Sequence, residues 1–218
     1  MEIIMKNSVK YFIFFAVLFF CLADGFCQEN KNNQLPEPQI SGGKPLMDAL
    51  SQRKSLRSFS QKEISRQVLS NLLWAAFGVN RPESGRRTAP SASNAQEIDI
   101  YVATAQGVFV YDAKANQLKP VIQEDIRGIS GRQAFIKDAS LVLIYVADYR
   151  RMRGQDAQKD FYSATDTGFI SQNVYLFCAS EGLSTVVVGI TDRKVLGEKL
   201  GLAAEQKVIL VQPVGYPK

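Results

Sequence analysis

Ala139-Ser140-Leu141-Val142-Leu143-Ile144-Tyr145-Val146-Ala147 is a near-continuous apolar run, interrupted only by Ser140 and the hydroxyl of Tyr145. A strand half exposed to water alternates polar and apolar residues; one without alternation is buried on both faces and sits centrally in its sheet. On the C-terminal side, a helix is expected over about Gln158 to Glu181, closed by Gly182. Phe161, Ala164, Gly168, Gln172, Tyr175 and Ala179 mark one stripe of it, and Phe169, Val174 and Phe177 broaden the apolar surface beyond one face. Such a helix is either central or at a subunit contact. Strands over Ser184 to Gly189 and Lys207 to Val214 follow, with a short helix between them capped by Asp192.

On the N-terminal side, Glu97 to Thr104 alternates Ile98, Ile100 and Val102, and Gly107 turns the chain into a hairpin strand, Val108 to Asp112. Gln123 to Asp138 holds one or two short helices around Gly128 and Gly131. Ser65 to Phe77 places Val68, Leu69, Leu72, Leu73, Ala76 and Phe77 at helical spacing, with Gly78 to stop it, and Leu46 to Gln52 is a shorter helix. The sum is a mixed α+β sheet covered by helices, with no internal repeat.

Residues 1–27 read as a signal peptide: Lys6 and Lys10 precede the apolar run Tyr11 to Ala23, with small residues at Ala23 and Gly25. The run falls short of the roughly 20 apolar residues of a membrane span. Cys21 and Cys27 each follow phenylalanine, where a lipid acceptor needs a small residue. The expectation is export, to a periplasm, without a lipid or a retained membrane span. Residues 28–44, rich in Asn, Gln, Pro and Gly, read as a flexible linker, and 45–218 as one domain.

The formal charge of +5 is mild and scattered, which argues against nucleic acid as a partner. The 218 residues include no histidine. That removes Ser-His-Asp and Cys-His catalysis and histidine-bound zinc, and no metal site is expected. Cys178 has no basic neighbour and reads as a buried structural thiol. Chemistry here falls to something other than a side chain, so no catalytic residue is assigned.

Two stretches offer the groups that a phosphorylated, hydrogen-bonding cofactor needs. Arg53, Lys54 and Arg57 carry cations suited to phosphate, and Ser55 adds a hydroxyl for a phosphate or a ribityl chain. Pro90, Ser91, Ser93, Asn94 and Gln96 lie just before a strand, with donors and acceptors for the edge of a heteroaromatic ring, while Ala92 and Ala95 leave room for it. Val188, Gly189 and Ile190 end a strand where backbone amides can approach a ligand. Taken singly, each has a plain alternative: a solvated charged loop, a polar turn whose serine caps a helix, and an ordinary strand end.

Together these pieces resemble the nitroreductase-like family of flavin enzymes over nearly all of Pro45 to Tyr216. The resemblance rests on Arg53-Lys54-Ser55-Leu56-Arg57, Leu72-Leu73-Trp74-Ala75-Ala76-Phe77-Gly78, Ala89-Pro90-Ser91-Ala92-Ser93-Asn94-Ala95-Gln96, Glu181-Gly182-Leu183 and Val188-Gly189, in matching order and spacing. It implies an α+β fold, an intertwined homodimer, and FMN at the subunit interface. Arg53, Lys54 and Ser55, with Arg57, would hold the phosphate and ribityl end. Pro90, Ser91, Ser93, Asn94 and Gln96 would lie along the isoalloxazine, in part from the partner subunit, and Val188, Gly189 and Ile190 would face it near N5. Lys218 stands where the family usually supplies a further phosphate cation, with Arg193 as the alternative.

The implied activity is a ping-pong transfer through flavin N5 from a small-molecule electron donor to a nitroaromatic, quinone or other small acceptor. Export conflicts with a nicotinamide donor, so another donor, or oxidation of a small substrate, is expected. A flavin-storage module, a specialised flavin oxidase or dehydrogenase, and an exported interaction domain without cofactor remain alternatives.

Overall fold

The computed structural model describes residues 33–218, and the compact unit spans Leu35–Lys218. The leader and the first residues of the linker lie outside the described residues.

In chain order the elements are α1 (Leu46–Gln52), α2 (Arg66–Phe77), β1 (Val79–Arg81), β2 (Arg86–Arg87), β3 (Ile98–Thr104), β4 (Gly107–Asp112), β5 (Gln117–Ile122), β6 (Leu141–Asp148), α3 (Asp156–Glu181), β7 (Ser184–Thr185), α4 (Arg193–Lys199) and β8 (Gln206–Gly215). Single 3-10 turns fall at Ala92–Asn94, Arg127–Ile129, Ala134–Asp138 and Tyr149–Arg151. The main sheet runs β5-β4-β3-β6-β8-β7, and β1 with β2 forms a separate small hairpin. The mixed sheet expected from sequence narrows to an antiparallel one, since every described pairing is antiparallel.

β6 is buried at every position between β3 and β8. Leu141, Leu143, Tyr145 and Ala147 point into the core under α2 and α3. Val142, Ile144 and Val146 point into the second core, with Ile126 just before one 3-10 turn, Ile136 of another and Leu196 of α4. The unbroken apolar run thus serves two cores at once, because successive side chains alternate faces. Tyr145 keeps its hydroxyl satisfied by Gln212 at 2.6 Å.

Caps set the helix ends. Ser65 Oγ accepts from Val68 N at the start of α2, and Asp192 Oδ1 accepts from Val195 N at the start of α4. α3 ends at Gly182 in the left-handed conformation, φ 70°, where glycine is unstrained. Its core-facing residues are mainly small or polar: Ser163, Asp166, Thr167, Ile170, Ser171, Val174 and Cys178. Phe161 and Phe169 are 66% and 45% exposed, which leaves the subunit-contact reading of the helix open.

Three departures have local causes. β5 escapes the periodicity reading because Pro120 interrupts it, which is tolerated only because β5 is an edge strand. The strand expected over Ser184 to Gly189 is two residues plus a single bridge, Val188 to Val211. Between them Val187 N donates to the Tyr175 hydroxyl at 2.8 Å instead of joining the ladder. Finally, residues 35–44 of the expected linker are a docked strap. Leu35 is buried, its N donates to Asn116 O at 3.0 Å, and Gln67 and Asn71 of α2 bind Glu37 O and Gln39 N. Lys44 closes the strap on the end of α3, its N on Ser180 Oγ and its Nζ on Ala179 O.

Gly107 has φ 142°, and a Cβ there would meet Ile122 O at 2.3 Å. Gly107→Ala is therefore expected to lower the unfolding free energy by about 1–3 kcal/mol, read as a lower urea midpoint with an unchanged slope.

Candidate functional site

The basic segment crosses the sheet edge as a tie between two chain ends. Leu56 N donates to Thr185 O of β7 and Ser60 N to Tyr216 O beyond β8. Phe59, 1% exposed, pins it from below. It stacks toward Phe135, with ring centroids 6.3 Å apart, under Gly215, where a Cβ would come within 3.1 Å of its ring.

Pinning Phe59 inward leaves the polar residues of the segment outward. The half-buried Arg53 holds its guanidinium 5.2 Å from the centroid of Tyr175 on α3, a cation–π contact. Ser55 Oγ lies 2.9 Å from the Tyr175 hydroxyl, which also accepts from Val187 N. One tyrosine therefore gathers Arg53, Ser55 and the strand end that leads to Gly189. Lys54 and Arg57 are exposed beside it. An adjoining concavity of ≈ 310 Å³ is lined by Lys44, Gln52, Lys54, Leu56, Tyr175 and Thr185. Lys218 is exposed two residues past Tyr216, whose ring carries Lys62 Nζ 3.9 Å from its centroid, so the C-terminus reaches the same edge.

Val188 has its N–H and C=O both bonded to Val211, at 2.8 and 3.1 Å. The exposed residues are Gly189 and Ile190, with Arg132 N bound to Ile190 O at 3.2 Å. Arg193 turns away to Ile209 O.

The second patch is a tightly wound loop. Ser93, Asn94 and Gln96 have φ of 52°, 54° and 49°, three left-handed residues costing of order 1 kcal/mol or more each. It is held by Ala92 N on Asp166 Oδ2 at 2.8 Å, Gln96 N on Ser91 Oγ at 3.0 Å, and Arg151 Nη1 on Gln96 O at 2.9 Å. The Gln96 amide is engaged inside the protomer: its oxygen accepts from Arg87 Nε at 2.8 Å, and its nitrogen donates to Gly85 O and Asn94 Oδ1. Within the protomer Gln96 acts as a strut of the loop. Arg87 is desolvated by burial, which lowers its pKa, and it lies 4.4 Å from the centroid of the Phe77 ring. Pro90, Ser93 and Asn94 are the outward groups of the loop.

Both patches abut α3, one at Tyr175 and the other at Asp166. Nine residues of helix separate these, about 14 Å along the axis. Sequence reasoning missed Tyr175 and Asp166 as organisers. Tyr175 was visible only as one member of the helix stripe, and Asp166 as one more charge. Cys178 is buried, its pKa raised by that burial, which removes it as a nucleophile. Among the described residues no group of three or more acidic or cysteine ligands could hold a metal ion, and no helix is long and apolar enough to cross a membrane.

A family model described as the nitroreductase family matches residues 50–216. A protein of Methanocaldococcus jannaschii, provisionally named a nitroreductase, is 32% identical over 181 residues, covering 78% of this chain and 90% of its own. A crystal structure from Ralstonia eutropha JMP134, also provisionally named a nitroreductase, superposes with a TM-score of 0.82 at 40% identity, covering 85% of this chain and 89% of that one. The NADPH:FMN oxidoreductase of Vibrio harveyi, solved with NAD+, shares the fold at 21% identity, with a TM-score of 0.61 over 79% of this chain and 69% of that one. These matches define a flavin-type oxidoreductase. The chain belongs to the nitroreductase family, whose members typically bind FMN and are typically dimers.

Proposed function

We propose that the protein binds FMN in a site shared by two copies of the chain and carries electrons from a small-molecule donor to a small acceptor such as a nitroaromatic or quinone. The observation that carries this reading is the gathering of Arg53 and Ser55 on Tyr175, beside the exposed Gly189 and Ile190. Arg53, Lys54, Arg57 and Lys218 set positive charge where a phosphate would be held, and Ser55 offers a hydroxyl to the ribityl chain. The N–H groups of the exposed Gly189 and Ile190 would donate to a ring. Ser93 and Asn94, on the loop held at Asp166 rather than at Tyr175, would approach that ring from a second copy.

The outward aromatic face of α3, with the exposed Leu46 and Met47 of α1, supports a subunit contact. When bound, FMN supplies hydride and single-electron chemistry at its N5 position. The chain's own task is to grip the phosphate, orient the ring and leave one face open, which needs no histidine. Reading residues 1–27 as an export leader, we assign the mature protein to the periplasm and its reductant to a class other than NADH or NADPH.

Purified protein is expected to be yellow, to bleach on chemical reduction, and to recover on adding a quinone. Colourless protein that fails to take up added FMN would contradict the proposal. Brisk turnover on NADH by demonstrably exported protein would contradict the choice of donor.

A further inference from the structure

Glu97 follows the wound loop and opens β3, with Asp148 N bound to its carbonyl at 2.9 Å. Its side chain is wholly buried, and neither carboxyl oxygen has a hydrogen-bond partner among the described residues. A lone buried carboxylate is costly, and natural folds answer it with a partner or a proton. The carboxyl it faces belongs to Asp166 of α3, 2% exposed, which also holds the loop through Ala92 N.

We infer that Glu97 and Asp166 form a proton-sharing latch that fixes the Ser91–Gln96 loop, making Glu97 a positioning residue for the flavin. This rests on the reading of the site just given.

The charges around Glu97 are few. Asp166 from α3 opposes its ionisation, and Arg151, from the turn after β6, favours it. Arg151 is already committed to Gln96 O, to Asp99 at 2.5 Å and to Asp148 at 3.7 Å. Arg87 of β2 engages the neighbouring Gln96 side chain. Burial dominates, with the charge of Asp166 adding to it, and together they push the Glu97 carboxyl up to about 7. Below that pH one proton lies between the two carboxyls and Asp166 keeps its grip on Ala92. Above it two buried negative charges face each other. Relief comes by Glu97 withdrawing or by Asp166 leaving Ala92 N, and either loosens a loop with three left-handed residues.

The raised pKa also fixes the sign of the linkage. An acid whose folded pKa exceeds its unfolded value favours folding at low pH, and that contribution is lost as pH rises from the unfolded value through about 7. Loop order and flavin retention should follow the same direction.

The test compares wild type, Glu97→Gln and Asp166→Asn. Hydrogen exchange of the peptide spanning residues 91–97 is followed in flavin-free protein, and FMN dissociation constants are measured in parallel, at about pH 6 and about pH 8. In wild type, protection and affinity should fall with rising pH, by at most about tenfold per pH unit for one linked proton. Glu97→Gln should be flat, because its amide donates to Asp166 at every pH. Asp166→Asn should also be flat, with the donor reversed, and it carries the test if the first variant does not fold. Equal pH profiles in wild type and the variants overturn the latch, whether or not FMN binds. A latch signature in the exchange data of a protein that binds no FMN would support the latch and refute the proposed function.

Discussion

Arg53→Ala is expected to weaken FMN binding by about 10–100-fold, the effect of losing hydrogen bonds to a charged group worth about 1.5–3 kcal/mol. The guanidinium is the one cation of the basic segment with a fixed place, stacked at 5.2 Å on Tyr175, so its contribution is preorganised. Lys54 and Arg57, exposed beside it, must be ordered on binding, and their alanine variants should cost less. Arg53→Lys should recover only part of the loss, because a lysine keeps the charge but not the planar fork. Fluorescence titration of flavin-free protein measures all four variants. Thermal stability should barely change, since Arg53 lies outside both cores.

Phe59→Ala should have the opposite signature, a large loss of stability. A wholly buried phenylalanine truncated to alanine costs about 3–5 kcal/mol, a large share of the about 5–15 kcal/mol that holds a typical domain together. Phe59 fills the space under Gly215 and beside Phe135, and it anchors the segment from below. Flavin affinity should fall as well, because the tie from Leu56 to Thr185 and from Ser60 to Tyr216 loses its centre. Phe59→Leu, which keeps most of the volume, should restore much of both. Urea unfolding read beside FMN titration separates the two contributions.

The pattern of the chain carries much of this architecture. β6 announces itself by unbroken apolarity, α2 and α4 by their capping residues, and α3 by its length and Gly182. What stays hidden depends on contacts between residues distant in sequence. The strap from Leu35 is held by one buried leucine and by side chains of Gln67, Asn71 and Asn116, which leave no period to read. The outward turn of Phe161 and Phe169 follows from α3 packing its small, polar side inward, and hydrophobic spacing alone does not choose between core and subunit contact.

The site divides in the same way. Arg53, Lys54, Ser55 and Arg57 were legible as a cluster because they are contiguous. The engagement of Gln96 by Arg87 and of Val188 by Val211 was not, since both are tertiary contacts. The meeting of Glu97 with Asp166 was equally hidden, because neither residue belongs to a motif that would pair them.

The most direct test of a site shared between copies is complementation in mixed dimers. Arg53→Ala damages the phosphate half and Asn94→Ala the loop half, so each homodimer should bind flavin more weakly than wild type. Refolding the two variants together should regenerate one intact site in each mixed dimer, beside one site carrying both lesions, and so restore about one tightly bound FMN per mixed dimer. No recovery on mixing, with both variants shown to associate, would mean that each chain builds its site alone and would contradict the account.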